Sequence, residues 1–291
     1  TCAYNTVPFR IYGSFTGPWQ WSGIEWTGCS IWMQGGQVDD IRIYDNKFVD
    51  SGGHTISFGP SDAPTLLQYV GVVDHNFFYN GNGTTSALIA IYWSNQAWDR
   101  DQTLGTSDAI FFEENTFWFN NCSTTAQPVE IIAANAGARY VFRRNRVAAC
   151  YNASPVRQLA AFLDMHGKCQ NPTTVGTGGV SIEVYRNTLQ SDHSTTGIVI
   201  RGGKGVIYDN TITGDVTTPL QLTDYAYCAN AVCDAGELCT EYPCAHQVNN
   251  FYVWNNTGLT SASVPACATD VIQENRDYFL SVMSGYTAYT Y

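Results

Sequence analysis

The sequence predicts an all-β solenoid, and three observations carry that prediction. A short frame recurs around Asn46, Asn76, Asn115, Asn145, Asn187 and Asn210, and more weakly around Asn256: two alternating apolar positions, the asparagine, then a third apolar position. The intervals between these asparagines are 30, 39, 30, 42, 23 and 46 residues, as expected for coils that carry loops of unequal length. Charged residues make up only 13% of the chain, which suits many turns and hydroxyl-lined surfaces and does not suit helices.

The frame has a physical reading. Around Asn46 the apolar residues are Ile41, Ile43 and Phe48; around Asn115 they are Ile110, Phe112 and Phe117; around Asn187 they are Ile182, Val184 and Leu189. Alternation at period 2 places them on one face of a short strand. Such a strand cannot bury that face alone, but coils stacked about 4.8 Å apart bury it in a continuous column. The asparagine is expected at the corner where the strand ends, where Asn tolerates left-handed backbone angles and its amide bonds the turn. Stacked corners then form a ladder of amides.

The chain reads in order as one domain, 1–291. Residues 1–35 form a first coil or cap around Trp21, Ile24, Trp26, Ile31 and Met33, and they hold half of the tryptophans: Trp19, Trp21, Trp26 and Trp32. These indoles are either a platform for sugar rings or a cover over the sticky end of the solenoid. Residues 36–258 hold the repeated coils, with a second strand after each frame at 55–58, 87–92, 129–133, 159–163, 197–200 and 219–222. Long loops at 94–108, 167–178 and 225–247 would wall a groove. The tail, 259–291, contains a short helix or irregular stretch at 268–283 and a tyrosine-rich run from Tyr286 to Tyr291.

The totals bound the partners and the compartment. A formal net charge of −11 argues against nucleic acid and anionic membranes, and no apolar run is long enough for a membrane span. The chain starts at Thr1, as a processed mature form or a fragment would. Ten cysteines favour an oxidising setting, secreted or at the cell surface. Cys2 and Cys29, and likewise Cys122 and Cys150, are about one coil apart, and Cys228, Cys233, Cys239 and Cys244 cluster in one loop whose spacing suits disulfides better than zinc. Cys169 and Cys267 have no assignable partners.

The frame φ-x-φ-x-x-Asn-x-φ over about 41–258 resembles the right-handed parallel β-helix of the pectate-lyase-like superfamily, in particular the secreted bacterial parallel β-helix repeat proteins. The resemblance implies a right-handed parallel β-helix braced by disulfides. The better-known members are polysaccharide lyases, hydrolases and epimerases, along with viral tailspikes. The sequence lacks the Trp-Ile-Asp-His and Arg-x-Pro-x-x-Arg signatures of pectate lyases, so no catalytic residue is carried over.

Candidate sites come from local chemistry. Asp164 and His166 are two apart in a strand and point the same way, and Arg201 lies at the matching place on the next coil. Lys168 and Lys204, two of only three lysines, flank them. This group suits metal binding, or a histidine base with Arg201 stabilising developing negative charge; the bland alternative is a structural Asp–Arg pair and a histidine bonded at a turn. Arg139, Arg143, Arg144, Arg146 and Arg157 form a basic patch that would grip an acidic sugar, or would pair across coils with Glu113 and Glu114. Asp39, Asp40 and His54 resemble fragments of polygalacturonase motifs without their partners, and are read as chance. No cofactor is required, although Asp99, Asp101 and Asp108 leave calcium open.

The expected function is therefore a secreted protein that binds or cleaves a carbohydrate polymer, with Asp164, His166 and Arg201 as the catalytic residues if it is an enzyme. The alternative is a non-catalytic surface or filament protein that self-associates, and pure glycan binding is a third option. An open cleft at the three residues favours the enzyme; their burial in mutual hydrogen bonds favours the scaffold.

Overall fold

The computed structural model describes residues 9–13, 18–34, 37–50, 54–59, 68–79, 87–93, 101, 103–119, 130–149, 161–167, 178–224 and 247–290. These residues form an all-β fold whose named strands pair only in parallel. Five successive coils, from Trp19 to Met165, supply three strands each, one more than the minimum read from the sequence. The first column is a nine-stranded sheet running from Trp19–Ser22 and Gln37–Tyr44 through Ile110–Glu113, Arg139–Arg143 and Ser181–Tyr185 to Tyr278–Phe279. The second column holds the short strands Glu25–Thr27, Lys47–Val49, Phe77–Tyr79, Thr116–Phe119 and Arg146–Ala149. The third holds Phe9–Tyr12, Ile31–Gln34, Ile56–Phe58, Ala87–Tyr92, Glu130–Asn135 and Ala161–Met165. The long strands Thr188–Ile200 and Thr211–Leu222 run through the second and third columns and join them into one 13-stranded sheet. This order is compatible with a parallel β-helix.

The core is the sum of aligned apolar positions. Ile43, Val73, Phe112, Phe142, Val184, Ile207 and Val253 occupy one register position of the first column. Ile31, Ile56, Ile89, Ile132, Leu163, Ile198 and Leu220 do the same in the third. In the second column the aromatic rings stack: Phe48 on Phe78 at 4.8 Å between centroids, and Phe78 on Phe117 at 4.6 Å. Trp26 continues this stack, and Trp19, Trp21 and Trp26 pack partly buried against the core. Trp32 faces outward beneath the Arg10 guanidinium, 5.1 Å from its ring centre.

The amide ladder runs the length of the described coils. Asn115 Oδ1 accepts from both the backbone N–H and the side-chain amide of Asn76 at 3.0 Å, and Asn115 Nδ2 donates to Val73 O at 2.8 Å. The same pattern joins Asn46 to Asn76, Asn115 to Asn145, Asn145 to Asn187, Asn187 to Asn210 and Asn210 to Asn256. One expectation is corrected. The left-handed residue is the one before each asparagine: Asp45, His75, Glu114, Arg144, Arg186, Asp209 and Asn255 all have φ between 52° and 57°. The strand must turn before the amide can lie along the stacking axis, so the strain falls one position earlier.

Beyond the coils, the stretch read as a short helix or irregular is irregular: a single 3₁₀ turn at Ala266–Ala268, then turns and the strand Tyr278–Phe279. The tyrosine-rich segment crosses the outer face of the first column. Met283, Tyr286, Ala288 and Tyr289 pack on Phe111, Val141, Tyr185, Val206 and Tyr208. Tyr286 donates its hydroxyl to Glu183 Oε2 at 2.6 Å, and Arg143 donates to Tyr289 O at 2.6 Å. Cys29 and Cys267 each take part in a disulfide. The other expected bridging residues, Cys2, Cys122, Cys150, Cys228, Cys233, Cys239 and Cys244, lie outside the described residues, as does Cys169.

Two outcomes follow. Asn115→Ala strands a buried N–H and a buried carbonyl, so it should lower unfolding free energy by about 3 kcal/mol at about 1–3 kcal/mol per unmet group. The half-exposed Asn256→Ala should cost clearly less in the same urea titration; equal losses would count against the ladder as the source. Tyr286→Phe leaves Glu183 Oε2 unmet and should cost about 1–3 kcal/mol. Limited proteolysis should then cut 283–290 faster while the coils stay protected.

Candidate functional site

The third column carries the candidate site. Leu163 and Met165 stand in the core, so Asp164 between them takes the opposite face. It is paired in register with Ala133 and Val199 on the neighbouring coils. His166 continues the ladder past the end of its strand, donating its N–H to Ala134 O at 2.8 Å and accepting from Gly179 N at 2.9 Å. Arg201 docks one coil on, its N–H bonded to Met165 O at 2.9 Å. Two glycines permit this closeness: a Cβ on Gly167 would lie 2.4 Å from Arg201 O, and one on Gly178 would lie 2.5 Å from His166 O.

The expected trio is assembled, and a fourth residue joins it. Arg201 forms an ion pair with Asp164 Oδ2. His166 Nε2 lies 3.9 Å from Asp164 Oδ2 and 3.6 Å from Glu130 Oε2. Ligating atoms of Glu130, Asp164 and His166 all lie within 4.8 Å of one another. Glu130 went unread in the sequence. Its signal was a lone carboxylate in an otherwise apolar strand, Val-Glu-Ile-Ile-Ala, on the coil that stacks beneath Asp164. Burial pushes the Glu130 carboxyl above the usual range, and the nearby Asp164 charge adds to this while His166 opposes it. A carboxyl perturbed by burial and a like charge is a mark of functional sites.

The group is enclosed. Asp164 is 1% exposed and His166 7%, and the Arg201 side chain is 20% exposed. Lys168 lies outside the described residues. Lys204 pairs in register with Ser181 in the first column, and its amine is lowered mainly by burial, with Arg139 and Asp101 as the charges acting on it. It is not part of the group.

Three arginines of the basic patch, Arg139, Arg143 and Arg144, are committed to pairing. Arg143 is buried against Glu113 and, through its other nitrogen, Tyr185 and Tyr289 O. Arg144 pairs with Glu114 at 2.8 Å and Glu113 at 3.0 Å. Arg139 bonds Asp108 at 2.6 Å and the carbonyls of Asp101 and Thr103. Arg146 is exposed, and Arg157 lies outside the described residues. Asp101 closes a turn on Thr103, and Asp99 lies outside the described residues. Asp39 and Asp40 sit at a register shift in the first column, while His54 is in the third, with Nδ1 donating to Ala87 O at 2.8 Å. They therefore lie in different columns. A trough of about 490 Å³ lies over Gln20, Arg42, Val72, Phe111 and Tyr289, with Arg42 already paired to Asp74 at 2.9 Å.

Comparison of the chain with protein-family models, with curated proteins and with solved structures found no match. Among the described residues no helix is long and apolar enough to cross a membrane.

His54 yields a pH test. Burial holds its imidazole below the ordinary value of 6.5. The folded state therefore binds fewer protons than the unfolded state just below that value, and stability is lost as pH falls through it. His54→Gln should flatten the fall in urea midpoint between about pH 7 and pH 5 that the parent shows; an unchanged fall would place its cause elsewhere.

Proposed function

We propose that this chain is a secreted, disulfide-braced right-handed parallel β-helix that binds an extended polysaccharide and cleaves it at Glu130, Asp164, His166 and Arg201. The observation that supports this most is the convergence of two carboxylates, an imidazole and a guanidinium from three successive coils onto one place on the third column. Structural pairing needs one carboxylate per guanidinium. Here a second carboxylate and a histidine are added, in a fold element that otherwise buries Ile, Leu and Ala. Such a set supplies proton transfer, or holds an ion that polarises the substrate, while Arg201 neutralises negative charge on an acidic sugar. The long stack of coils offers an extended ligand several subsites in a row.

A second reading draws on the enclosure of the same group. Asp164 and Arg201 buried against each other also suit a scaffold, in which the chain is a non-catalytic surface or filament protein assembling through its aromatic first coil. Phe9 and Tyr12, on the edge strand of the third column, are exposed and would serve such contacts.

A turnover screen separates the two. Purified protein is incubated with acidic and neutral polysaccharides while chain length and new unsaturated ends are followed. Cleavage is expected, and His166→Ala and Glu130→Gln should reduce it at least about 10²-fold, the usual scale for a proton-transferring group. Absence of cleavage on every substrate by a folded protein that sediments as an assembly would overturn the enzyme reading.

A further inference from the structure

Outside ordinary ion pairing, the Glu130 cluster has one feature that the pairs leave unexplained. Asp164 gives Oδ2 to Arg201, and its Oδ1 is buried with no hydrogen-bond donor among the described residues. A buried carboxylate oxygen without a donor is costly, and native proteins rarely leave one so. Among the described residues two carboxylates, Glu130 and Asp164, face a single guanidinium, one carboxylate more than that ion pair uses. Both observations call for a cation at the point where the three side chains converge.

We infer that Glu130, Asp164 and His166 bind one divalent transition-metal ion of the zinc class. The spacing suits it. Nitrogen and oxygen ligands at about 2.0–2.2 Å around a tetrahedral ion stand roughly 3.4 Å from one another. His166 Nε2 is 3.6 Å from Glu130 Oε2 and 3.9 Å from Asp164 Oδ2, and all three ligand atoms lie within 4.8 Å of one another, so the set closes on an ion by contraction. The donor types choose the metal class. An imidazole with two carboxylates matches zinc, cobalt or manganese, whereas calcium takes six to eight oxygens and does not favour a nitrogen ligand. Arg201 is then a positioning residue: it holds Asp164 Oδ2, the oxygen that lies 3.9 Å from the imidazole, and so fixes the carboxylate beside the ion, the role outer partners play around bound metals. Three protein ligands leave a fourth position for water or a substrate oxygen. The ion's part in polysaccharide cleavage rests on the function proposed above; its binding does not.

The test reads binding without any sugar. The whole chain is stripped with EDTA, checked by circular dichroism, and titrated with Co²⁺ by visible absorption and with Zn²⁺ by calorimetry. The expected result is one saturable equivalent, Zn²⁺ displacing Co²⁺, and at least tenfold weaker binding in each of Glu130→Gln and His166→Gln. Asp101→Asn, in a loop away from the group, should bind as the parent does. No saturable uptake by the folded parent overturns the inference, as does uptake that both site variants retain, or Ca²⁺ competing as well as Zn²⁺. A chain that takes up Zn²⁺ through these residues yet cleaves nothing overturns the function and leaves the site standing.

Discussion

The constraint on which everything else depends is the column of buried amides at one corner of the coils. Parallel strands with unequal loops between them have no hairpin geometry to fix their register. Here each asparagine fixes it instead, because its oxygen takes two donors from the coil before and its nitrogen reaches that coil's strand carbonyl. The left-handed residues that precede the asparagines carry a backbone cost of roughly 1 kcal/mol or more each, and the ladder bonds offset it. Once the corner is pinned, the apolar positions on either side fall into line. The phenylalanine stack and the isoleucine column are consequences of that alignment.

The same alignment explains how charge comes to be gathered in the third column. A parallel stack repeats each position from coil to coil, so one polar residue on one coil is brought to the next coil's equivalent. Asp164 thereby meets Arg201, as Glu113 meets Arg143 in the first column. The two pairs differ in what surrounds them. Glu113 and Arg143 are sealed by Tyr185 and the Tyr289 carbonyl, and their polar needs are met. Asp164 has one oxygen without a donor among the described residues, and a histidine and a second carboxylate stand within 4.8 Å of the group. The first arrangement is closed by its neighbours; the second is the one for which a metal ion is proposed.

How much of this was legible depended on periodicity. The asparagine frame, the core positions and the Arg143–Glu113 and Asp164–Arg201 meetings all follow from one repeated offset, and the sequence displays it. What did not repeat was hidden. Glu130 occurs once, at the start of a strand, and only three-dimensional stacking places it beside His166. The second-column strands, such as Lys47–Val49, are too short to show an alternation. The left-handed corner was misplaced by one residue because Asn is the commonest tolerant residue, while the ladder needs its amide elsewhere. The role of Tyr286 and Tyr289 lay in contacts with distant coils, for which composition gives no signal.

Those distant contacts bear on how the chain comes to be folded. The ladder bonds join residues 23 to 46 apart, so each coil can settle on the one made just before it, as the chain emerges. Tyr286 and Tyr289 instead reach across 103 and 146 residues to Glu183 and Arg143. Loop-closure entropy makes such contacts late ones. The tyrosine segment can dock only on coils already correctly stacked, and docking covers the aromatic stripe that an unfinished molecule would show to its neighbours. The stability of the segment is thereby tied to the order of the coils beneath it, because the residues it packs on come from four of them.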